Sequence, residues 1–209
     1  MNTLNFQRRT LGILCALLVP LCLLFGLFGI NTNLPLWYCS VSATYYANSR
    51  MWMIGLLFAT SLFFFCYRGY GKSDIIMSWI QAIAAIGIVI FPCNTPGVPA
   101  TVGMFNLPVA TSHIIHCIST AILFLTFATN IIYNFPKGNK DNPQKKKRNL
   151  VYYICGITIY VFAAFQALTT FLPIPNWFPM TMINEFILLE AFAVAWLTKS
   201  EAFKKLNDC

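Results

Sequence analysis

Six apolar stretches, at about 11–30, 51–67, 75–91, 113–133, 150–171 and 180–198, divide the chain into segments of membrane-crossing length. A helix needs roughly 20 apolar residues to cross a ~30 Å hydrocarbon core, and the second and third stretches are at the short end of that requirement. The expected fold is all-α: one polytopic domain over 1–209, with six transmembrane helices and no separate soluble unit. Composition agrees. Of 209 residues, 58% are hydrophobic and only 10% charged, too little polar surface for a soluble domain of this size. Arg8 and Arg9 ahead of the first stretch imitate a signal peptide. Its apolar run is too long for one and no A-x-A pattern follows, so it is expected to persist as a span.

Charge sets the expected orientation. With the N-terminus inside, Arg8, Arg9, Arg68, Lys72, Lys137, Lys140, Lys145–Arg148, Lys199, Lys204 and Lys205 all face the cytoplasm, leaving only Arg50 outside. Lysine and arginine in short loops collect on the cytoplasmic side, so both termini are read as inside and the protein as multi-pass in an inner, cytoplasmic membrane. The net charge of +8 is juxtamembrane. The Lys145–Arg148 run therefore reads as an orientation anchor touching anionic lipid headgroups, with membrane lipids as partners and no nucleic acid.

The odd-numbered spans leave on the outer side at prolines: Pro35, Pro92, and Pro173 with Pro175. Proline lacks the N–H that would continue a helix. The outer loop 92–112 carries four prolines and no charge, and is expected to fold back on the membrane or cap the bundle. Trp37, Tyr38, Tyr45, Tyr46, Trp52, Trp177 and Phe178 gather at the same level, either as an interfacial aromatic belt or as the mouth of a site for an amphiphile. Cys39 and Cys93, both on the outer side, are either a disulfide or two buried thiols. Gly26, Gly29, Gly55, Gly87 and Gly156 allow close helix contacts, within one chain or between copies in a homo-oligomer.

Polar residues at membrane depth are costly and need partners, so chemistry is sought among them. From helical rise, His116 and Glu185 lie about 7 Å inside the outer boundary, with Gln166 slightly deeper and Glu190 near the midplane. His113 and Arg50 sit at the boundary, and Ser42, Thr44, Tyr45 and Asn48 lead into the second span. The inner half offers Ser78, Gln81, Thr126, Thr129 and Asn130. This imbalance points to an outward-opening polar pocket. His113 and His116, three apart, share a helix face. With Glu185 they form a chemically sensible zinc shell whose fourth position would carry hydrolytic water. The rival reading is a pair of interfacial histidines bonded to loop carbonyls. Arg50 either pairs with Glu185 or offers its planar fork to a phosphate or carboxylate headgroup. Glu190 is either a neutral hydrogen-bonding group or a proton relay.

Ser40-Val41-Ser42-Ala43-Thr44-Tyr45-Tyr46, followed by Arg50 and Gly55, resembles an S-[IV]-S-A-T-Y-Y…R signature found ahead of the second span in a family of small six-span bacterial membrane proteins. Tyr67-Arg68-Gly69-Tyr70 is similar to that family's Y-x-G-Y turn, Phe91-Pro92 to a span exit, and His116-Cys117 to the opening of the next span. The similarity covers about 38–125. Val41 stands where isoleucine is usual, and Cys93 where threonine is common. The resemblance implies the six-span fold, points to Tyr45, Tyr46, Arg50 and His116, and brings no activity with it. A looser likeness to the six-span Frag1/DRAM/Sfk1 group rests on topology and the serine-rich approach to the second span, an analogy of fold alone.

Three function classes follow. The first is a membrane protein whose outer pocket binds a lipid headgroup or small amphiphile through Arg50, Tyr45, Tyr46, His113, His116, Gln166 and Glu185. The second is a metal-dependent membrane-embedded hydrolase or lipid-modifying enzyme, with His116 and Glu185 as catalytic candidates. The third is a small proton-coupled carrier centred on Glu190. No serine sits in a nucleophile-elbow pattern and no phosphate-cradling glycine loop occurs.

Overall fold

The computed structural model describes residues 3–27, 37–138, 142–169 and 178–206. Gly29, Pro35, Lys140, Pro173, Pro175 and Trp177 lie outside the described residues, as does the side chain of Trp37. Among the described residues the chain is all-α apart from one small hairpin. Its helices are α1 (Thr3–Leu27), α2 (Arg50–Cys66), α3 (Lys72–Ile90), α4 (Val109–Thr129), α5 (Pro143–Thr169) and α6 (Met180–Lys199). A π turn, Asn130–Asn134, extends α4. Short 3-10 turns cover Trp37–Cys39, Ser42–Tyr46 and Lys204–Leu206.

Five of the helices are long and apolar enough to cross a membrane. The exception, α2, has 17 residues, about 26 Å at helical rise. Each helix packs on its chain neighbours, and α1 closes the ring against α6. Faces turned away from the ring are greasy: Phe58, Leu62, Ile83, Ile118, Ile154 and Val161 are all exposed. A soluble protein rarely shows so continuous an apolar wall; here it is the surface a membrane-embedded chain presents to lipid.

The ring closes on aromatic side chains. Phe127 and Phe192 stack with centroids 3.8 Å apart, and Phe64 meets both at 5.7 and 6.0 Å. Trp196, fully buried, takes Tyr67 at 4.9 Å and Phe135 at 5.1 Å edge-on. Lipid tails are as apolar as the core, so contact geometry rather than water exclusion holds such a centre. Edge-on and offset ring pairs contribute about 0.5–1.5 kcal/mol each beyond burial.

Two helix starts differ from the sequence boundaries. α1 begins at Thr3 rather than near 11, and α5 at Pro143 rather than near 150. The second has a clear cause. The Asn142 side chain accepts the backbone N–H of Gln144 at 2.8 Å, and Pro143 occupies the first helical position, where its missing N–H costs nothing. The basic run is therefore helical, not loop. The loop 92–112 carries a short hairpin: Thr101–Val102 pairs antiparallel with Leu107–Pro108, Val102 is buried, and the tip residues Met104 and Phe105 stay exposed.

Close helix approach is real at two of the predicted glycines. A Cβ on Gly87 would stand 2.4 Å from Ser119 Oγ, and one on Gly156 would stand 2.4 Å from Ile132 Cγ1. Gly55 has nothing within 4 Å. Gly156→Leu is expected to lower unfolding stability in detergent by about 1–3 kcal/mol through overpacking at the α4–α5 seam. Gly55→Ala is expected to leave the midpoint unchanged or raise it. A tolerated Gly156→Leu would contradict the packing described.

Candidate functional site

At one end of the bundle two segments outside the α-helices, 37–49 and 91–94, leave backbone groups without α-helical partners. Pro92 ends α3, so the carbonyls at its exit must be satisfied by side chains. Three successive carbonyls are answered in turn. His116 Nδ1 meets the Phe91 oxygen at 2.8 Å, the Ser112 hydroxyl donates to Pro92 at 2.8 Å, and the Tyr46 phenol donates to Cys93 at 2.7 Å. The Asn94 N–H donates to His113 Nδ1 at 3.1 Å. On the other segment the Val41 N–H donates to Glu185 Oε2 at 2.6 Å.

His116 sits at the centre of this set, and its proton positions follow from its partners. A carbonyl only accepts, so Nδ1 carries the hydrogen, and in the neutral ring Nε2 then accepts from the Ser42 hydroxyl 2.9 Å away. Ser42, Thr44, His116 and Glu185 are all buried. The serine–histidine pair has the reach of a nucleophile and its base. No carboxylate orients the ring, however; a backbone carbonyl does. The arrangement ties the start of α2, the exit of α3 and α4 together.

The zinc shell drawn from sequence is not formed. His116 uses both ring nitrogens within the protein, His113 turns half-exposed to Asn94, and Glu185 serves Val41. No group of three or more His, Cys, Asp or Glu side chains among the described residues is placed to hold a metal ion. Sharing a helix face was not enough, because the two histidines reach different backbone segments.

Arg50 and Glu185 do not pair either. The Arg50 Nε donates to the Tyr45 carbonyl and its guanidinium lies 4.6 Å over the Tyr45 ring. Gln166 joins α5 to α6: it accepts from Asn184 Nδ2 at 2.7 Å and donates to Thr181 at 3.3 Å. Asn184, missed in the sequence, also reaches the Phe162 carbonyl at 3.1 Å. Glu190 is half-buried on α6 and takes no hydrogen bond from a described residue. Cys39 and Cys93 are not joined in a disulfide; both are thiols. Burial pushes the Cys93 thiol up to about 12, which keeps it protonated and unreactive, and burial likewise raises Cys39 and the Tyr46 phenol.

None of these residues lines the cavity of about 310 Å³ that opens at the opposite end of the bundle. Among the described residues its wall carries Arg8, Lys137, Lys145, Arg148 and Lys199, with Glu201 as the one carboxylate. The volume is at the low end for small-ligand sites. Sequence treated the 145–148 run as a single anchor. In the helix it divides: Lys146 and Lys147 are exposed, whereas Lys145 and Arg148, three apart, face the cavity.

His116→Ala is expected to orphan the Phe91 carbonyl and the Ser42 hydroxyl, at about 1–3 kcal/mol for each buried group left unpaired. Thermal unfolding should show a larger loss for it than for His113→Ala, whose ring is half-exposed. A chelator should leave the wild-type midpoint unchanged, and a drop on chelation would restore the metal reading. Comparison with family models, with curated proteins and with solved structures finds no match.

Proposed function

We propose that this chain is a six-span protein of the inner, cytoplasmic membrane, with both termini inside, that holds the anionic headgroup of a lipid or small amphiphile at its basic end. The observation that carries the reading is the cavity wall: among the described residues, five basic side chains and one carboxylate line it. Anchoring alone does not account for them. Lysines that only orient a protein extend into water or to headgroups at the surface. Here Arg8 is 2% exposed, Lys199 8% and Arg148 9%. Charges withdrawn from water need partners, and an anionic headgroup entering the cavity would supply one.

The outer end supports binding less well, because its polar groups are already used on backbone. The expectation of a headgroup site is therefore moved from the outer half to the inner end. The short α2 supports six spans when its flanks are included. Arg50 at one end and Tyr67 with Arg68 at the other are residues suited to the two interfaces, and a short span is accommodated by local thinning or by such flanks. The segregation of basic residues to one end supports the orientation.

In mild detergent, native mass spectrometry should find an anionic lipid retained by the wild type and by Arg50→Gln, and lost from Arg8→Gln/Lys199→Gln. Loss with Arg50→Gln and retention by the double variant would return the site to the outer end. Cysteines placed at Lys147 and Met104 should react with impermeant maleimide from the cytoplasmic and outer sides respectively. Labelling of both from one side would overturn the topology.

A further inference from the structure

We propose that the Tyr70 side chain gates the basic cavity: it closes on Arg8 and Lys199 and swings aside when an anionic headgroup reaches them. The inference rests on the headgroup reading above and adds the regulation of that site. It starts from the rings around the Lys199 ammonium. That group donates to the Phe135 carbonyl at 2.8 Å and lies 5.2 Å from the Tyr70 ring, 5.2 Å from Phe135 and 5.8 Å from Tyr152. Phe135 and Tyr152 are each 1% exposed, whereas Tyr70 is 69% exposed. Two of these three rings therefore belong to the packed interior. Tyr70 stands between the ammonium and water.

The same ring lies on Arg8. The guanidinium Cζ is 4.8 Å from its centroid, and Nη1 donates to its phenol at 3.3 Å. Arg8 and Lys199 are buried, and both line the cavity with Tyr70. A mostly exposed side chain thus lies on two buried ones. Little packing holds so exposed a ring; its contacts to the two cations do. A headgroup oxygen approaching Arg8 Nη1 or the Lys199 ammonium competes for those contacts. Entry of the ligand and opening of the gate are then one exchange.

What moves is the side chain and not the turn that carries it. The Tyr70 N–H donates to the Asp74 carboxylate at 2.9 Å, and a Cβ at Gly69 would collide with the Asp74 side chain. Asp74 is itself buried and acts electrostatically on Lys199. The turn is therefore pinned to the first residues of α3, and rotation about χ1 of Tyr70 is the motion left to it. Exposed rotamers exchange in picoseconds to nanoseconds, so the gate acts through its closed population rather than as a slow step. The apparent affinity of a site falls with the fraction of molecules in which it is open. A cation–ring contact is worth a few-fold in an equilibrium constant, and two such contacts hold Tyr70 shut.

The test is a titration of the full chain in mild detergent with short-chain phosphatidylglycerol, read by thermal shift. Tyr70→Ala keeps the backbone bond to Asp74 and is expected to bind the lipid about five- to tenfold more tightly than the wild type. Tyr70→Phe keeps the ring face and loses the phenol, so its affinity should fall between the two. The gain should vanish when Tyr70→Ala is combined with Arg8→Gln, which separates tightening at this site from general lipid uptake. Should Tyr70→Ala not fold, the sign of the change in Tyr70→Phe decides in the same way. Unchanged or weaker binding by the Tyr70 variants, or a gain that survives Arg8→Gln, overturns the gate and leaves headgroup binding standing. Binding by neither the wild type nor the Tyr70 variants sinks both.

Discussion

Backbone that leaves a helix where water cannot reach it must be hydrogen-bonded by its own chain, and the end of the bundle that holds segments 37–49 and 91–94 is organised around that rule. Pro92 follows the end of α3 in a buried stretch, leaving the Phe91, Pro92 and Cys93 carbonyls in succession without helical partners. Each is met by a different element: His116 and Ser112 from α4, and Tyr46 from the turn before α2. Glu185 does the converse for the Val41 N–H. A buried polar group left unpaired costs about 1–3 kcal/mol, so the set contributes more to holding the loops than any single contact implies. The same bonds fix the ends of α2, α3, α4 and α6 relative to one another, which is what lets the aromatic centre below them pack to contact.

At the opposite end the side chains that answer backbone are charged: Lys145 and Lys199 donate to the Phe135 carbonyl and Arg148 to that of Leu206. Two ammonium groups about 6 Å apart repel by roughly 3 kcal/mol at an effective dielectric constant of 20. Arg8, Lys145 and Lys199 nevertheless converge on Phe135 and Tyr70, from helices far apart in sequence. Neutral carbonyls and ring faces reduce that strain without removing it. Anchors would be free to splay apart, as Lys146 and Lys147 do. The buried cations are held by the aromatic floor of Tyr67, Tyr70, Phe135 and Tyr152 instead.

Much of the fold was legible because apolar run length is a local property. The starts of α2, α3 and α6 fall within three residues of the expected positions. The early starts of α1 and α5 were missed for an opposite reason: charged residues were read as the end of a span, although Asn142 and Pro143 begin a helix that runs through them. The candidate site was legible as residue identities and not as pairings. Tyr46, His116 and Glu185 do engage one another's neighbourhood, but through backbone atoms of segments 41–46 and 91–93, which no side-chain spacing encodes. Arg50 pairs with the aromatic ring five residues before it rather than with Glu185. The division of the basic run into inward Lys145 and Arg148 and outward Lys146 and Lys147 was readable from helical spacing, once the run is taken as helix.

A polar residue at membrane depth is therefore a poor marker of function in this chain, and an unanswered charge a better one. The difference is one of magnitude. Ser78 Oγ, Gln81 Oε1 and Asn130 Nδ2 are buried without partners on the α3–α4 seam, but they are neutral. A single water making two to four hydrogen bonds settles groups of that kind. No water neutralises Arg8, whose guanidinium is 2% exposed and meets only neutral oxygens among the described residues. Desolvating an ion costs several kcal/mol even after relaxation, and only an opposite charge with good geometry returns it. The outer histidine and glutamate have found backbone partners and are complete as they stand. Arg8 is not, since its Nη2 is buried with no hydrogen-bond partner among the described residues.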